Sequence, residues 1–357
     1  MQSKSVSVSE KRADEAVHHS PVRTALKWAF WGPFYALDLL AVGVFTAGFL
    51  AAYLDPSWYW VGSTLAIGQN VWAFALMPFA LVLLLARRWK GLAVHLALLL
   101  ALFVRSGGFG SAVDPLPTGA PDGLRVMTFN TPRWNDNEET GDRMRRLADA
   151  WQPDLFGIQE SAIWVSKAAP NALRGFHRFD PLIADGYTMQ PPRQGPPDKN
   201  WYRWEVPALS RGLAVVEQEH LSWPNPNIDE GDHIFGLRTV YEQDGRRFVH
   251  YNVHLLTFGT DKPWEEEQIQ YLNFDFWKPF LRMARHAFRY RSEQARHLRG
   301  LIEAEADPVI LSGDFNSTPN SWTYRHLSQG FTDAYKAAGG WWGATYPTDW
   351  SAPILGP

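Results

Sequence analysis

Five polar residues in the second half of the chain stand at the ends of apolar runs that are typical of buried strands. These residues are Asn130, Glu160, His254, Asp314 and Asn316. Strands of one sheet can end along a common rim, so we expect the five side chains to converge there. Polar groups that converge above an apolar core are the usual arrangement of an active site.

The chemistry that this set suits is the hydrolysis of a phosphoester. The Glu160 carboxylate, with amide and carboxylate oxygens nearby, suits a hard cation, Mg²⁺ first and Mn²⁺ as the alternative. Asn130 and Asn316 can donate hydrogen bonds to phosphate oxygens, and His254 can hold a phosphate or donate to a developing oxyanion. Asp314 can accept a proton from an attacking water, or orient that water. Together the residues predict metal-assisted hydrolysis.

Each of these residues also has an ordinary structural explanation. An asparagine after a strand is usually a turn residue, and Glu160 alone could stabilise the start of a helix. His254 alone is more often a hydrogen-bonded structural histidine, and Gly313–Asn316 alone could be a turn. The combination of all five residues, in this order, favours the chemical interpretation.

The elements that would position these residues begin at residue 124. Strands are predicted at 124–129, 154–158, 213–216, 234–241, 246–254 and 308–311, and helices at 142–151 and 280–306. Asp244-Gly245 is a hairpin turn signal between two of the strands. Hairpins mixed with helices predict an α+β domain in which two sheets pack together with helices outside.

At these strands the sequence resembles the endonuclease/exonuclease/phosphatase superfamily, the DNase I-like group of nucleases, inositol phosphatases and neutral sphingomyelinases. The matching segments are 125–130, 154–160, 251–255 and 309–316, with Gln294-Ala295-Arg296 ahead of the last one. The most specific features are Gln159-Glu160 after a strand and the run Gly313-Asp314-Phe315-Asn316. The resemblance extends over residues 123–350.

The resemblance implies an αββα sandwich of two sheets and a role for each of the five residues. Glu160 would bind Mg²⁺, and Asn130 would assist in placing the metal or the phosphate. His254 would contact the scissile phosphate, and Asp314 would orient the nucleophile. Asn316 would stabilise the phosphate, so the expected catalytic set is His254, Asp314 and Asn316.

Members of this superfamily continue beyond the matched segments with an Asp-bearing strand and a Ser-Asp-His type segment, whose histidine is the general base or its partner. Residues 317–357 contain no Asp-His pair. We therefore expect domain 124–357 to be C-terminally incomplete, with weak or absent hydrolysis, because a positioned base contributes about 10²–10⁴-fold in rate. The alternative to a phosphodiester hydrolase is a non-catalytic membrane protein that uses the fold for binding.

The first third of the chain is predicted to be embedded in a membrane. A span needs about 20 apolar residues, and spans are predicted near 34–54, 64–86 and 91–110. The basic tail, residues 1–33, is expected in the cytoplasm, and a linker is expected at 111–123. Three spans place the following domain outside the cytoplasm, whereas a re-entrant third segment would place it inside. Some bacterial members of the family are similar in having multi-span N-terminal anchors.

Two ionisable residues, Asp38 and His95, fall inside the apolar runs. Such residues are candidates for a transport path, but with only two of them and no internal repeat we favour structural roles.

The composition limits the partners. The chain has no cysteine, which excludes a disulfide-linked partner and cysteine-bound zinc. A net charge of -3 argues against a generally cationic nucleic-acid-binding surface. The expected partners are the lipid bilayer and a phosphodiester, which could be DNA, a phospholipid head group or a soluble ester. Cations in or near loops could meet such a polyanion, or form an ordinary solvated surface: Arg174, Arg178, Arg193, Lys199, Arg203 and Arg211.

Overall fold

The computed structural model describes residues 21–106, 123–131, 138–160, 163–166, 180–189, 193–194, 201–204, 206–223, 233–258 and 273–337. The chain divides into two compact units. Of the described residues, the first unit contains 21–50 and 64–106, and the second contains 51–63 and 123–337. Most of the predicted linker, and the end of the chain beyond residue 337, lie outside the described residues.

Four helices make up the N-terminal part of the chain. They are α1 (Pro21–Leu50), α2 (Trp60–Ile67), α3 (Gln69–Leu85) and α4 (Trp89–Arg105). Helix α1 begins well before the predicted span at 34–54, so residues 21–33, which were assigned to the tail, are helical. Within α1, the stretch Lys27–Leu50 is long and apolar enough to cross a membrane.

The described helices provide one or two candidate spans, and not the three that were predicted. Helices α2 and α3 pass the same test only as a pair, and they are bent by 76° at the break between them. That break lies at Gly68, whereas Pro78 is accommodated inside α3. Helix α4 has 17 residues, about 25 Å at 1.5 Å per residue, which is short for a hydrocarbon core of about 30 Å.

Three contacts of polar side chains join the helices of the N-terminal part. Nε2 of His95 lies 2.8 Å from Oδ1 of Asp38, which joins α4 to α1. Nε2 of the buried Gln69 donates to the backbone oxygen of Phe45 over 3.2 Å. Nη1 of Arg105 donates to the backbone oxygen of Phe49 over 2.7 Å. Each of these contacts joins two different helices.

The second unit contains two four-stranded sheets, both of mixed direction. The first sheet has the order β1-β2-β7-β4, with strands β1 (Val126–Asn130), β2 (Leu155–Gln159), β7 (Ala208–Ser210) and β4 (Thr188–Met189). The second has the order β11-β10-β9-β8, with strands β11 (Val309–Asp314), β10 (Arg246–His254), β9 (His233–Gln243) and β8 (Ala214–Trp223). Three further strands form a small sheet: β3 (Ile163–Ser166), β6 (Trp201–Trp204) and β5 (Arg193–Gln194).

Each large sheet contains one parallel pair, and these pairs position the candidate residues. In the β1–β2 pair Asn130 lies opposite Gln159, at the carboxyl ends of both strands. In the β10–β11 pair His254 lies opposite Asp314, again at the carboxyl ends. Strands β9 and β10 form the predicted hairpin, with Asp244 and Gly245 both at positive φ.

Helices cover the two sheets. The described helices of this unit, after α2, are α5 (Glu138–Trp151), α6 (Asp180–Ala184), α7 (Phe274–Glu303), α8 (Trp322–Leu327) and α9 (Ala334–Ala337). Met144 and Ala148 of α5 pack on Phe156 and Ile158 of β2. On the second sheet, residues of α7 pack against β10: Ala295, Leu298 and Ile302 with Val249, Tyr251 and Val253. The unit is therefore an α+β fold of two mixed sheets with helices, as predicted.

Candidate active site

Asn130 connects the two large sheets at the rim. It is the last residue of β1, and its Nδ2 donates to Oδ2 of Asp314 at the end of β11 over 2.7 Å. The same nitrogen donates to Oε1 of Glu160 over 3.3 Å. One amide group therefore holds two carboxylates, which come from different sheets, close to each other.

Glu160 follows β2 directly and turns the chain sharply. Its φ of 57° lies in the left-handed region, which is costly for a residue with a side chain. The side chain is 28% exposed, and its Oε1 lies 3.5 Å from Nε2 of the mostly buried His254. Strained backbone of this kind is concentrated at functional sites, because the surrounding structure must be specific enough to hold it.

Asp314 and Asn316 form a compact turn after β11. Oδ1 of Asp314 accepts from the backbone N–H of Asn316 over 2.8 Å, and Asn316 has a φ of 47°. Nδ2 of Asn316 donates to the backbone oxygen of Leu255 over 2.8 Å, which ties the turn to the end of β10. Both oxygens of the Asp314 carboxylate are thus fixed. A Cβ at Gly313 would lie 2.0 Å from the Val253 oxygen, so only glycine fits at that position.

The structure brings the five predicted residues to one rim. Contacts of 2.7 to 3.5 Å link Asn130, Glu160, His254 and Asp314. Asn316 lies beside them, but its amide nitrogen and its backbone N–H are engaged in holding the turn. The chemical role of each residue remains a prediction. Among the loop cations, Arg211 packs over the Tyr187 ring, and the side chains of the other five lie outside the described part.

Beneath the rim lies a buried amide network whose contacts sequence reasoning missed. Nε2 of Gln159 donates to Oδ1 of Asn252 over 2.6 Å. Nδ2 of Asn252 lies within hydrogen-bond distance of the backbone oxygens of Ile158, Val206 and Pro207. A Cβ on Gly157 would meet Oδ1 of Asn252 at 2.7 Å, which explains the glycine. The sequence did contain one indication of this network. Asn252 lies two residues before His254, so both side chains are on the same face of β10.

Sequence reasoning also missed Arg291, a fully buried arginine on α7. Its guanidinium lies over the rings of Phe258 and Phe288, at 4.3 and 4.8 Å. Its Nη2 has no hydrogen-bond partner among the residues that the structure describes. Burial lowers the pKa of Arg291 to about 9, and the negative charge of Asp314 opposes that shift. Arg291 thus contributes positive potential behind the rim.

The donor set at the rim can be compared with the needs of a metal ion. In the described ranges no three His, Asp or Glu residues are grouped closely enough to hold a metal by themselves. Glu160, Asp314 and Asn130 offer oxygens only, two of the residues being carboxylates. Mg²⁺ commonly uses one or two carboxylates and completes its shell with water and substrate phosphate, so this set fits Mg²⁺.

The sequence profile of the Endonuclease/Exonuclease/phosphatase family matches residues 127–356. The chain belongs to this family, which confirms the predicted DNase I-like α+β fold. Members of the family are hydrolases. No curated protein matches the chain.

Several solved structures are distantly similar. The catalytic domain of human Nocturnin is 18% identical over 60% of this chain and 72% of that chain, with a TM-score of 0.37. Sphingomyelinase C from Streptomyces griseocarneus is 18% identical over 58% of this chain and 68% of that chain, with a TM-score of 0.40. A humanized TDP2 from D. rerio is 15% identical over 59% of this chain and 68% of that chain, with a TM-score of 0.34.

Proposed function

We propose that the chain is a membrane-attached, Mg²⁺-dependent phosphodiester hydrolase. The observation that carries the proposal is the Asn130 amide, which donates to both Glu160 and Asp314 while His254 lies against Glu160. Two carboxylates, an amide and an imidazole at one strained rim are the groups that a metal-assisted phosphoesterase needs.

In this proposal Glu160 and Asn130 hold the metal. When bound, Mg²⁺ would supply positive charge that neutralises and polarises the phosphate. Glu160 is suited to this position because its carboxylate is part exposed at the rim. The contact with Asn130 holds the carboxylate in place before a metal arrives.

His254, Asp314 and Asn316 act on the substrate. His254 donates a hydrogen bond to an oxygen of the scissile phosphate, which stabilises the charge that develops there. Asp314, with both oxygens fixed by Asn130 and Asn316, orients the attacking water and accepts its proton. In this proposal the second amide proton of Asn316, beside the one held by Leu255, donates to the phosphate, and Asn130 assists by placing the two carboxylates. Arg291 adds positive potential from the buried side.

The membrane attachment is proposed from helix α1. Its stretch Lys27–Leu50 is apolar and long enough to span, and large apolar side chains such as Leu39 are exposed along it. We infer attachment to the cell membrane. Spans beyond α1, and a catalytic unit outside the cytoplasm, remain predictions. The first is based on hydropathy and the second on the charge pattern. A reporter fused after residue 110, active only in one compartment, tests that prediction.

An activity panel on the full chain tests the hydrolase. Plasmid DNA, sphingomyelin and inositol phosphates are assayed with Mg²⁺ and again with EDTA. We expect weak Mg²⁺-dependent turnover of one of these esters, and a further reduction of about 10²-fold or more in Glu160→Gln. Glu303→Gln, at an exposed residue of α7, is the matched control and should leave turnover unchanged. Saturable binding of a substrate without turnover would support the alternative, a non-catalytic binding domain.

A further inference from the structure

The first half of α7 presents a stripe of positive charge to solvent. Four cations and one aromatic residue make up this stripe, which we call the α7 stripe: Phe274, Lys278, Arg282, Arg285 and Arg289. All five are exposed. At 3.6 residues per turn they fall within an arc of about 80° on the helix surface.

The packing of the helix determines where the α7 stripe faces. The opposite side of α7 is buried, through Phe280, Ala284, Ala287 and Arg291. The amide of Asn273 caps the helix start, where its Oδ1 accepts from the backbone N–H of Asp275 over 3.0 Å. The stripe is therefore presented by a regular, anchored helix.

Within the described ranges, three of the four cations of the α7 stripe have no acidic partner. Residues 274–289 contain four Lys or Arg and one acidic residue, Asp275. Lys278, Arg282 and Arg285 form no ion pair with any residue in the described part of the chain, and only Arg289 does, with Glu293 at 3.1 Å. The second half of the helix differs, since Arg299 pairs with Glu303 at 2.7 Å.

Aromatic residues accompany the charge at the N-terminal end of the helix. Phe274, the first residue of the helix, is 67% exposed, a large exposed fraction for a phenylalanine. The half-buried Phe276 and Trp277 lie edge to face to each other, with ring centroids 5.5 Å apart, on sides of the helix outside the α7 stripe. Clustered cations attract anionic head groups, and aromatic rings are enriched at the membrane interface, so this solvent-facing side of α7 suits an anionic bilayer surface although its apolar side is packed inside the protein.

We propose that the α7 stripe binds the anionic head groups of a lipid bilayer, with Phe274 inserted at the boundary between head groups and acyl chains. The proposal rests on the proposed membrane attachment, because α1 would keep the stripe at a high local concentration near lipid. A bilayer is favoured over nucleic acid as the occupant for the same reason. The net charge of -3 means that the attraction is local to this helix.

Because the chain has no cysteine, an introduced cysteine can be labelled specifically. A single cysteine introduced as Phe274→Cys carries an environment-sensitive fluorophore, and Tyr335→Cys, at another exposed aromatic residue of the same unit, is the control. The full chain is reconstituted in nanodiscs of phosphatidylcholine alone or mixed with phosphatidylglycerol. We expect a blue shift and protection from acrylamide quenching only at position 274 and only with the anionic lipid. Added salt should reverse both effects.

Charge-reversal variants test whether the cations of the α7 stripe bind the anionic lipid. Lys278→Glu with Arg282→Glu should weaken the contact by about tenfold or more and abolish the shift. Arg246→Glu with Arg247→Glu makes the same change of charge at the exposed β9–β10 hairpin and should leave the shift intact. The melting temperature of each variant shows that it is folded.

The proposal is overturned if position 274 responds equally in both lipids, or if the two charge-reversal variants behave alike. It is also overturned if a short DNA, and not anionic lipid, produces the shift. Failure of membrane attachment is seen separately, because the full chain would then not float with phosphatidylcholine vesicles. Vesicles with phosphatidylglycerol, added to that unattached chain, would still test the stripe.

Discussion

The side-chain amide of Asn130 contacts both carboxylates of the rim. Its nitrogen donates to Asp314 over 2.7 Å and to Glu160 over 3.3 Å. Two carboxylates that contact the same amide nitrogen repel each other, and a donor or a cation between them relieves the repulsion. Asn130 therefore keeps the pair assembled when no cation is bound.

Asn130→Asp tests this role directly. The change removes the donor and adds a third carboxylate, so we expect the protein without metal to lose about 2 kcal/mol of unfolding free energy. Mg²⁺ should then raise the melting temperature of the variant more than that of the wild type. Thermal melts with EDTA and with Mg²⁺ measure both effects. A variant as stable as the wild type in EDTA would contradict the role.

His250 predicts a pH dependence of stability. Burial lowers the pKa of this histidine to about 3, and its Nε2 lies 2.8 Å from Oγ of Ser312. The unfolded chain binds the proton at an ordinary pKa of about 6.5, so the stabilisation is complete above that pH and is lost as the pH falls toward 3. Between pH 7 and 5 this group alone should cost about 2 kcal/mol.

The His250→Gln variant isolates that contribution, because a glutamine keeps a polar atom near Ser312 and does not titrate. Melting temperatures at pH 7 and pH 5 should differ less in the variant than in the wild type. Equal differences in the two proteins would show that His250 does not carry the effect.

The five rim residues could be predicted because each one ends an apolar run, which is a local signal. Asn252 and Arg291 could not, because their significance depends on contacts across the sandwich. Asn252 receives a hydrogen bond from Gln159, which is 93 residues away in the chain. Arg291 resembles any other cation of α7 until its burial is known.

The strands and helices predicted for the second unit are present, with differences at their ends. Strand β8 extends to Trp223 and not to the predicted residue 216, and strands β3 to β7 were not predicted. Helix α7 begins at Phe274, and not at the predicted residue 280, because Asn273 caps it and Pro279 is accommodated inside. Strand β11 extends to Asp314, which makes that residue part of the strand and aligns it with His254. The β9–β10 hairpin agrees with its Asp-Gly turn because that signal demands positive φ.

A carboxylate behind the second sheet joins several elements. Glu305, in the turn after α7, accepts from Nε of Arg238 over 2.5 Å and from Nη2 over 2.9 Å. It also accepts from the hydroxyl of Tyr251 over 2.6 Å. The hydrogen bond from Arg238 holds the pKa of Glu305 below its usual value, while burial and the Glu305 carboxylate raise the pKa of Tyr251.

Glu305→Gln should therefore destabilise the protein by about 2–3 kcal/mol, because Arg238 loses its bidentate partner in a mostly buried position. The measurement is the urea midpoint followed by circular dichroism. The control is Glu303→Gln, two residues earlier, where an exposed pair with Arg299 is worth less than about 1 kcal/mol. Equal losses in the two variants would argue against the network.

At the scale of the whole molecule, the α+β unit was predictable and the number of spans was not. Residues 64–86 and 91–110 were predicted as spans because they are apolar, and hydropathy measures only composition. Hydropathy does not predict the helix break at Gly68 or the 17-residue length of α4. Those depend on helix geometry.

Membrane attachment through α1 predicts the effect of charge at its centre. Leu39 and Leu40 are 72% and 63% exposed near the middle of Lys27–Leu50. An arginine at the centre of a span costs about 2.5–3.5 kcal/mol, so Leu39→Arg with Leu40→Arg should release the chain from membranes washed with carbonate. Leu39→Phe with Leu40→Phe should stay bound. Retention of the arginine variant would contradict a span at α1.

The most direct test of the central claim is the binding of Mn²⁺, as a paramagnetic substitute for Mg²⁺, to the full chain, followed by electron paramagnetic resonance. The account predicts a saturable site that Mg²⁺ displaces, that Glu160→Gln abolishes and that Glu303→Gln retains. Absence of saturable binding, or binding that Glu160→Gln leaves unchanged, would contradict it.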